Sequence, residues 1–175
     1  MLELKNINLS LKKDSRNLVN DFSFNLTNGD KAVIIGEEGN GKSTLLKLIY
    51  DRKLVESYCE WDGKIISKSK LAYLPQMLDD SISDMTLAEY FENTEYYLYT
   101  DILTKLGLTL DFILSDQKLG TLSGGEKVKV QLAKLYMEDP DILLLDEPTN
   151  DLDISTLQWL EQFISDSRLP ILYIS

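Results

Sequence analysis

Gly36-Glu-Glu-Gly39-Asn40-Gly41-Lys42-Ser43 follows the apolar run Ala32-Val-Ile-Ile35 and leads into a segment that carries Leu45, Leu48 and Ile49 at helical spacing. A buried strand, a glycine-rich loop ending in Gly-Lys-Ser and a helix, in that order, describe a cradle for phosphate. The glycines let the loop turn successive backbone N–H groups inward, and the helix N-terminus adds its unpaired donors and its dipole. Lys42 supplies a point charge to the β- and γ-phosphate oxygens, the Ser43 hydroxyl is suited to Mg²⁺, and Thr44 would face the α-phosphate. Five of the nine glycines fall at 36, 39, 41, 124 and 125, a concentration that points to backbone shaped around a ligand. Glu37 and Glu38 would repel phosphate unless their side chains point to water.

Outward from the cradle, strands alternate with helices. Leu2, Leu4, Ile7 and Leu9 alternate roughly with polar residues, and Phe22-Ser-Phe24-Asn-Leu26 alternates strictly. Trp61-Asp-Gly-Lys64 before Ile65-Ile66 reads as a hairpin turn, and Leu71–Leu74 as a buried strand. From about Leu78 to Gly120 the chain is rich in Leu, Tyr and acids, with helical spacing around Thr86–Tyr97 and Asp101–Leu106. That stretch reads as a helical insert, its aromatic crowd at 90–99 serving helix packing or a partner surface. Ser123 then opens a helix carrying Val128, Leu132 and Leu135. Ile142–Leu145 is a strand apolar on both faces, Ile154, Leu157, Leu160 and Ile164 mark another helix, and Ile171–Ile174 a last strand. The alternation predicts a largely parallel sheet with helices on its faces. Ile171–Ile174 is expected near a truncated end of that sheet, with an unpaired edge.

Composition narrows the chemistry. The 175 residues suit one compact domain, and a 43% apolar fraction is that of a chain with a real core. With 18 basic and 29 acidic residues, a net charge of −11 argues against unaided nucleic-acid binding. No apolar run approaches the ~20 residues of a membrane helix, and no leader opens the sequence. The lone Cys59 fits a reducing cytoplasm and reads as a core residue. With no histidine, this sequence offers no Ser/His or Cys/His nucleophile and no His-ligated zinc.

A second chemical centre is Asp146-Glu147, which closes the buried strand at its C-terminal end, where ligands of open α/β sheets bind. Asp146 is expected to hold Mg²⁺ through a water, and Glu147 to orient and deprotonate the water that attacks the γ-phosphate. Ser123, Gly124 and Gly125, at a helix N-terminus, offer N–H groups and a hydroxyl to an anion.

Leu122-Ser-Gly-Gly-Glu126 resembles the signature motif of the ATP-binding cassette (ABC) family, whose Walker A and Walker B motifs the cradle and Asp146-Glu147 resemble. Tyr73-Leu-Pro-Gln76 is similar to its Q-loop, with Gln76 near Mg²⁺ and the attacking water, and Thr149–Asp153 to its D-loop, which meets a partner domain. The resemblance covers essentially the whole chain. It implies the ABC ATPase fold: a P-loop NTPase three-layer α/β core with an N-terminal antiparallel β-subdomain and a helical subdomain at 78–120, the whole 1–175 being one cassette incomplete at its C-terminus. It further implies that ATP and Mg²⁺ are bound, and that the signature of a second cassette, in the same parent chain or a homodimer, closes over the γ-phosphate. Glu147-Pro-Thr-Asn-Asp-Leu-Asp153 resembles the ABC-F branch, cytoplasmic proteins that act on ribosomes. A membrane-permease motor and a nucleotide-binding module without useful turnover are the alternatives. Two departures stand out. The position where the family stacks an aromatic on adenine falls near Lys13, and no aromatic precedes Phe22, so base stacking is either weak or done by Lys13 or Arg16. The family's switch histidine is also absent from this sequence, as a truncated chain would have it.

Overall fold

The computed structural model describes residues 1–150 and 152–175. They divide into two compact bodies, Met1–Tyr73 with Asp141–Glu147 and Ser167–Ser175, and Leu74–Pro140 with Pro148–Asp166.

The first body opens with strands β1 (Leu2–Leu11) and β2 (Asn17–Leu26), followed by β3 (Lys31–Ile34), the helix α1 (Lys42–Tyr50) and β4 (Cys59–Ser67). β1 runs antiparallel to both β2 and β4, giving a three-stranded sheet in the order β2-β1-β4. The imperfect alternation of β1 has a structural cause. Between Leu4 and Ile7 its register shifts against β2, and between Lys5 and Asn8 against β4, with Asn6 in the left-handed region at φ 50°. One extra residue at this bulge resets the phase, so Leu2, Leu4, Ile7 and Leu9 all reach the core.

The hairpin expected at Trp61–Lys64 does not form, because β4 runs straight through it. Asp62-Gly63 has turn chemistry, but Gly63 sits opposite the β1 bulge at φ 106°, where a Cβ would lie 2.6 Å from the Asn6 carbonyl oxygen. The glycine admits a close backbone approach in mid-strand, and local sequence does not separate that use from a turn.

A second sheet comprises β3, β5 (Leu71–Leu74), β6 (Ile142–Asp146) and β7 (Ile171–Ile174) in the order β3-β7-β6-β5, with β7 parallel to both its neighbours. The expectation of an unpaired edge at Ile171–Ile174 is therefore corrected: Ile171 pairs with Lys31 on one side and Leu143 on the other. Ile171, Leu172 and Ile174 are fully buried. A crossover inserts the last strand between earlier ones, so position in the chain is no guide to position in the sheet. Leu45, Leu46, Leu48 and Ile49 of α1 join one apolar cluster with Ile142 and Leu144 of β6, Leu172 and Ile174 of β7, and the inward leucines of β1. Cys59 is buried in the same cluster.

The second body is helical: α2 (Leu87–Phe91), α3 (Thr100–Lys105), α4 (Leu110–Ile113), α5 (Gly124–Met137) and α6 (Ile154–Asp166). The helix expected through Tyr97 ends at Phe91, and Tyr96–Tyr99 forms a separate 3₁₀ turn. The aromatic crowd splits accordingly. Phe91 is fully buried, with Lys134 over its ring and that of Tyr90, whereas Tyr97 and Leu98 are exposed. α2 and α5 each open on a capping box, Thr86 with Glu89 and Ser123 with Glu126. No helix among the described residues is long and apolar enough to cross a membrane.

Candidate functional site

The cradle forms where the sequence places it. Gly41 caps α1 in the left-handed conformation at φ 79°, with no side chain capping the first-turn N–H groups, which leaves them available to an anion. Gly41 is also pressed against β2: a Cβ there would lie 2.7 Å from the Leu18 Cβ. Gly36, Gly39 and Asn40 form the exposed part of the loop, and Glu37 and Glu38 are exposed as phosphate binding requires.

A cavity of about 190 Å³ opens on this loop. Gly39, Gly41, Lys42, Ser43, Thr44 and Glu147 line it, as do Leu11, Leu18 and Arg16. Lys42 Nζ donates to the Gly36 carbonyl at 2.6 Å and the Glu37 carbonyl at 3.1 Å, and lies 3.9 Å from Glu147 Oε1. Glu147 holds a left-handed backbone at φ 46°, just past the end of β6. An arriving phosphate competes with these groups for Lys42, which loosens the hold of the cation on Glu147. Of the two cations considered for the base, Arg16 lines the cavity and donates to the Gly39 carbonyl at 2.9 Å, whereas Lys13 is exposed and does not line it. Arg16 is placed by the β1–β2 turn, where Asp14 accepts from its backbone N–H and the Leu11 N–H bonds its carbonyl.

Ser43 and Asp146, 103 residues apart in sequence, meet at 2.8 Å, the hydroxyl donating to Oδ1. Asp146 is almost fully buried, and its Oδ2 accepts from the Tyr73 hydroxyl at 2.6 Å. Burial, and then the bond to Asp146 and its charge, push the Tyr73 phenol well above its ordinary pKa. Thr44 interacts with the Tyr58 hydroxyl, whose pKa is raised chiefly by burial. Ser43 and Asp146 are hard oxygen donors, and no group of three or more His, Cys, Asp or Glu among the described residues makes a self-sufficient metal cage. That set suits Mg²⁺, which takes one or two protein oxygens and completes its shell with phosphate and water. Tyr73 appeared in the sequence only as part of Tyr73-Leu-Pro-Gln76, and nothing local marks it as a partner of Asp146.

The remaining candidates lie in the second body. Gln76 is exposed in the bend after β5. Ser123 caps α5, but its hydroxyl is engaged: it donates to Glu126 Oε2 at 2.7 Å and accepts from the Glu126 N–H at 3.3 Å. Gly124 opens α5. Gly125 has a packing role as well, since a Cβ there would meet Thr156 Oγ1 of α6 at 2.8 Å. Of the expected D-loop, 149–153, Asp151 lies outside the described residues. Asp153 accepts from the Thr156 N–H at 2.8 Å and so caps the start of α6.

A strand–glycine loop–helix cradle, a lysine over it and an acidic strand end beside it define a nucleotide-binding domain of the phosphate-loop class. The chain belongs to the ABC transporter family, whose model matches residues 19–150. The ATP-binding protein Uup of Buchnera aphidicola is 35% identical over 96% of this chain and 29% of its own length. The erythromycin resistance ATP-binding protein MsrA of Staphylococcus epidermidis is 34% identical over 96% of this chain and 33% of its own. Both relatives are of the ABC-F branch, and the chain spans a third or less of their length. In fold it matches an inward-facing structure described as a metal-chelate type ABC transporter, with a TM-score of 0.77 at 20% identity over 99% of this chain and 72% of that one.

Proposed function

We propose that this domain binds ATP with Mg²⁺ and hydrolyses it in a head-to-tail pair of cassettes, within a longer cytoplasmic ABC-F protein that acts on the ribosome. The observation that carries the reading is the convergence of Lys42, Ser43, Thr44 and Glu147 on one cavity, with Asp146 bonded to Ser43. The first-turn N–H groups of α1 and Lys42 bind and orient the phosphates. Ser43 and Asp146 would hold Mg²⁺, which would supply neutralisation of phosphate charge there. Glu147 orients the attacking water and takes its proton. Ser123, Gly124 and Gly125 serve the nucleotide of the partner cassette, for which the Ser123 hydroxyl turns away from Glu126. The ABC-F relatives, one of them a resistance protein by name, support the ribosomal reading over a membrane-permease partner.

The test uses the full-length parent carrying Glu147→Gln. The amide keeps the shape but removes the base, so ATP turnover falls by two orders of magnitude or more while ATP binding persists, on the general acid–base scale of ~10²–10⁴-fold. ATP then accumulates dimeric cassettes by light scattering, and the parent cosediments with ribosomes. Wild-type turnover in that variant removes Glu147 from the base role, and a parent that fractionates with a permease removes the ribosome. The 175-residue chain alone turns over far below the ~1 s⁻¹ of ordinary enzymes, because its signature serves another cassette and it contains no histidine. Phosphate release near that rate, abolished by Lys42→Ala, overturns this expectation.

A further inference from the structure

We propose that Tyr73 is a positioning residue for the magnesium site, holding the Asp146 carboxylate so that one oxygen stays turned toward Ser43 while the other is taken out of play. This rests on the reading of the cavity as a nucleotide–Mg²⁺ site. Asp146 is 1% exposed, and a buried carboxylate must have both oxygens satisfied. Two hydroxyls from different elements do this. Ser43 of α1 donates to Oδ1 at 2.8 Å, and Tyr73 of β5 donates to Oδ2 at 2.6 Å.

The two edges of the carboxylate are therefore unequal. Ser43 lines the nucleotide cavity, and its hydroxyl keeps lone pairs for a cation while its proton stays on Oδ1. The Oδ2 edge is closed by a phenol that has little freedom to leave. The Tyr73 ring stacks on Tyr50 of α1, with centroids 5.4 Å apart and planes 27° apart, and packs against the core cluster of the first body. With Oδ2 held, Asp146 does not rotate to chelate a cation through both oxygens, and it need not be reoriented when Mg²⁺ enters. Partners of this kind, one bond removed from the metal, typically change metal affinity roughly 10–100-fold when lost.

The experiment measures ATP affinity calorimetrically in excess EDTA and across a series of Mg²⁺ concentrations, on wild type, Tyr73→Phe, Asp146→Asn and the double variant. Melting curves verify that each is folded. Tyr73→Phe is expected to raise the Mg²⁺ concentration for half-maximal effect by roughly tenfold, with ATP affinity in EDTA changed less than twofold. In the Asp146→Asn background the same substitution changes neither quantity, because its effect runs through the carboxylate. Tyr50→Leu, which leaves the hydroxyl but removes its stacking partner, shifts the Mg²⁺ dependence in the same direction by less, and covers the case in which Tyr73→Phe does not fold. An unchanged Mg²⁺ midpoint in Tyr73→Phe, or equal losses with and without Mg²⁺, overturns the positioning role while leaving the nucleotide site intact. Wild type that binds no ATP under any condition overturns the site itself.

Discussion

Replacing Lys42 by alanine removes the cation that faces the phosphate side of the cavity. Its Nζ is now held by the Gly36 and Glu37 carbonyls at 2.6 and 3.1 Å and lies 3.9 Å from Glu147 Oε1. A bound phosphate takes over those bonds. A hydrogen bond to a charged partner contributes about 1.5–3 kcal/mol, which corresponds to roughly ten- to a hundredfold in affinity. Two further consequences set where in that range the loss falls. Gly36 and Glu37 are exposed, so their carbonyls turn to water at little cost. Glu147, however, loses the cation 3.9 Å from its Oε1, which adds repulsion toward the incoming phosphate. The expected loss is therefore in the upper half of the range. Calorimetric titration with ATP and Mg²⁺ at fixed ionic strength measures it, with a melting curve to show that the fold is retained. Affinity within twofold of wild type refutes the assignment of Lys42 to phosphate and with it the reading of the loop as a cradle.

Gly125→Ala places a methyl against Thr156 of α6 and destabilises the domain by about 1–3 kcal/mol of overpacking, read by urea denaturation. An unchanged midpoint means that α6 yields without cost. Glu126 is held below the usual carboxylate range by the hydroxyl and backbone N–H of Ser123. A lowered folded-state pKa gives stability that is complete above the unfolded value and is lost as pH falls through the folded one. Melting temperature is therefore expected to fall below about pH 4.5, and to fall less steeply in Glu126→Gln, whose cap carries no charge to neutralise. Identical acid limbs exclude the contribution. Leu11, Leu18 and Arg16 present two apolar side chains and a guanidinium to the cavity, none of them a carboxylate or amide that would read a base edge. GTP is accordingly expected to compete with ATP within a few-fold, and Arg16→Ala to weaken both alike. A hundredfold preference for ATP contradicts this account of the base site.

Much of the fold and site is legible in the linear order of residues because it depends on neighbours in the chain. Gly36–Ser43 specifies a loop between a strand and a helix through its own glycines, and the helix begins at Lys42. Ser123 and Glu126, three apart, close their capping box without help from the rest of the fold. Ile142–Leu145 is apolar on both faces and forms β6, the strand that brings Asp146 to the Ser43 hydroxyl. What tertiary structure alone decided are the relations between distant segments. Asp62-Gly63 is a turn by composition and a straight strand in fact, because the β1 bulge lies opposite it. β7 occupies an interior position because the crossover, not chain order, sets the strand order. Gly125 is small because Thr156 of α6 packs against it. Tyr73 stands 73 residues from Asp146, and no periodicity or motif spacing predicts a hydrogen bond across that separation. Local sequence determines backbone conformation through dihedral preference and short-range hydrogen bonds. Which hydroxyl reaches which carboxylate is settled only when the sheet has ordered its strands.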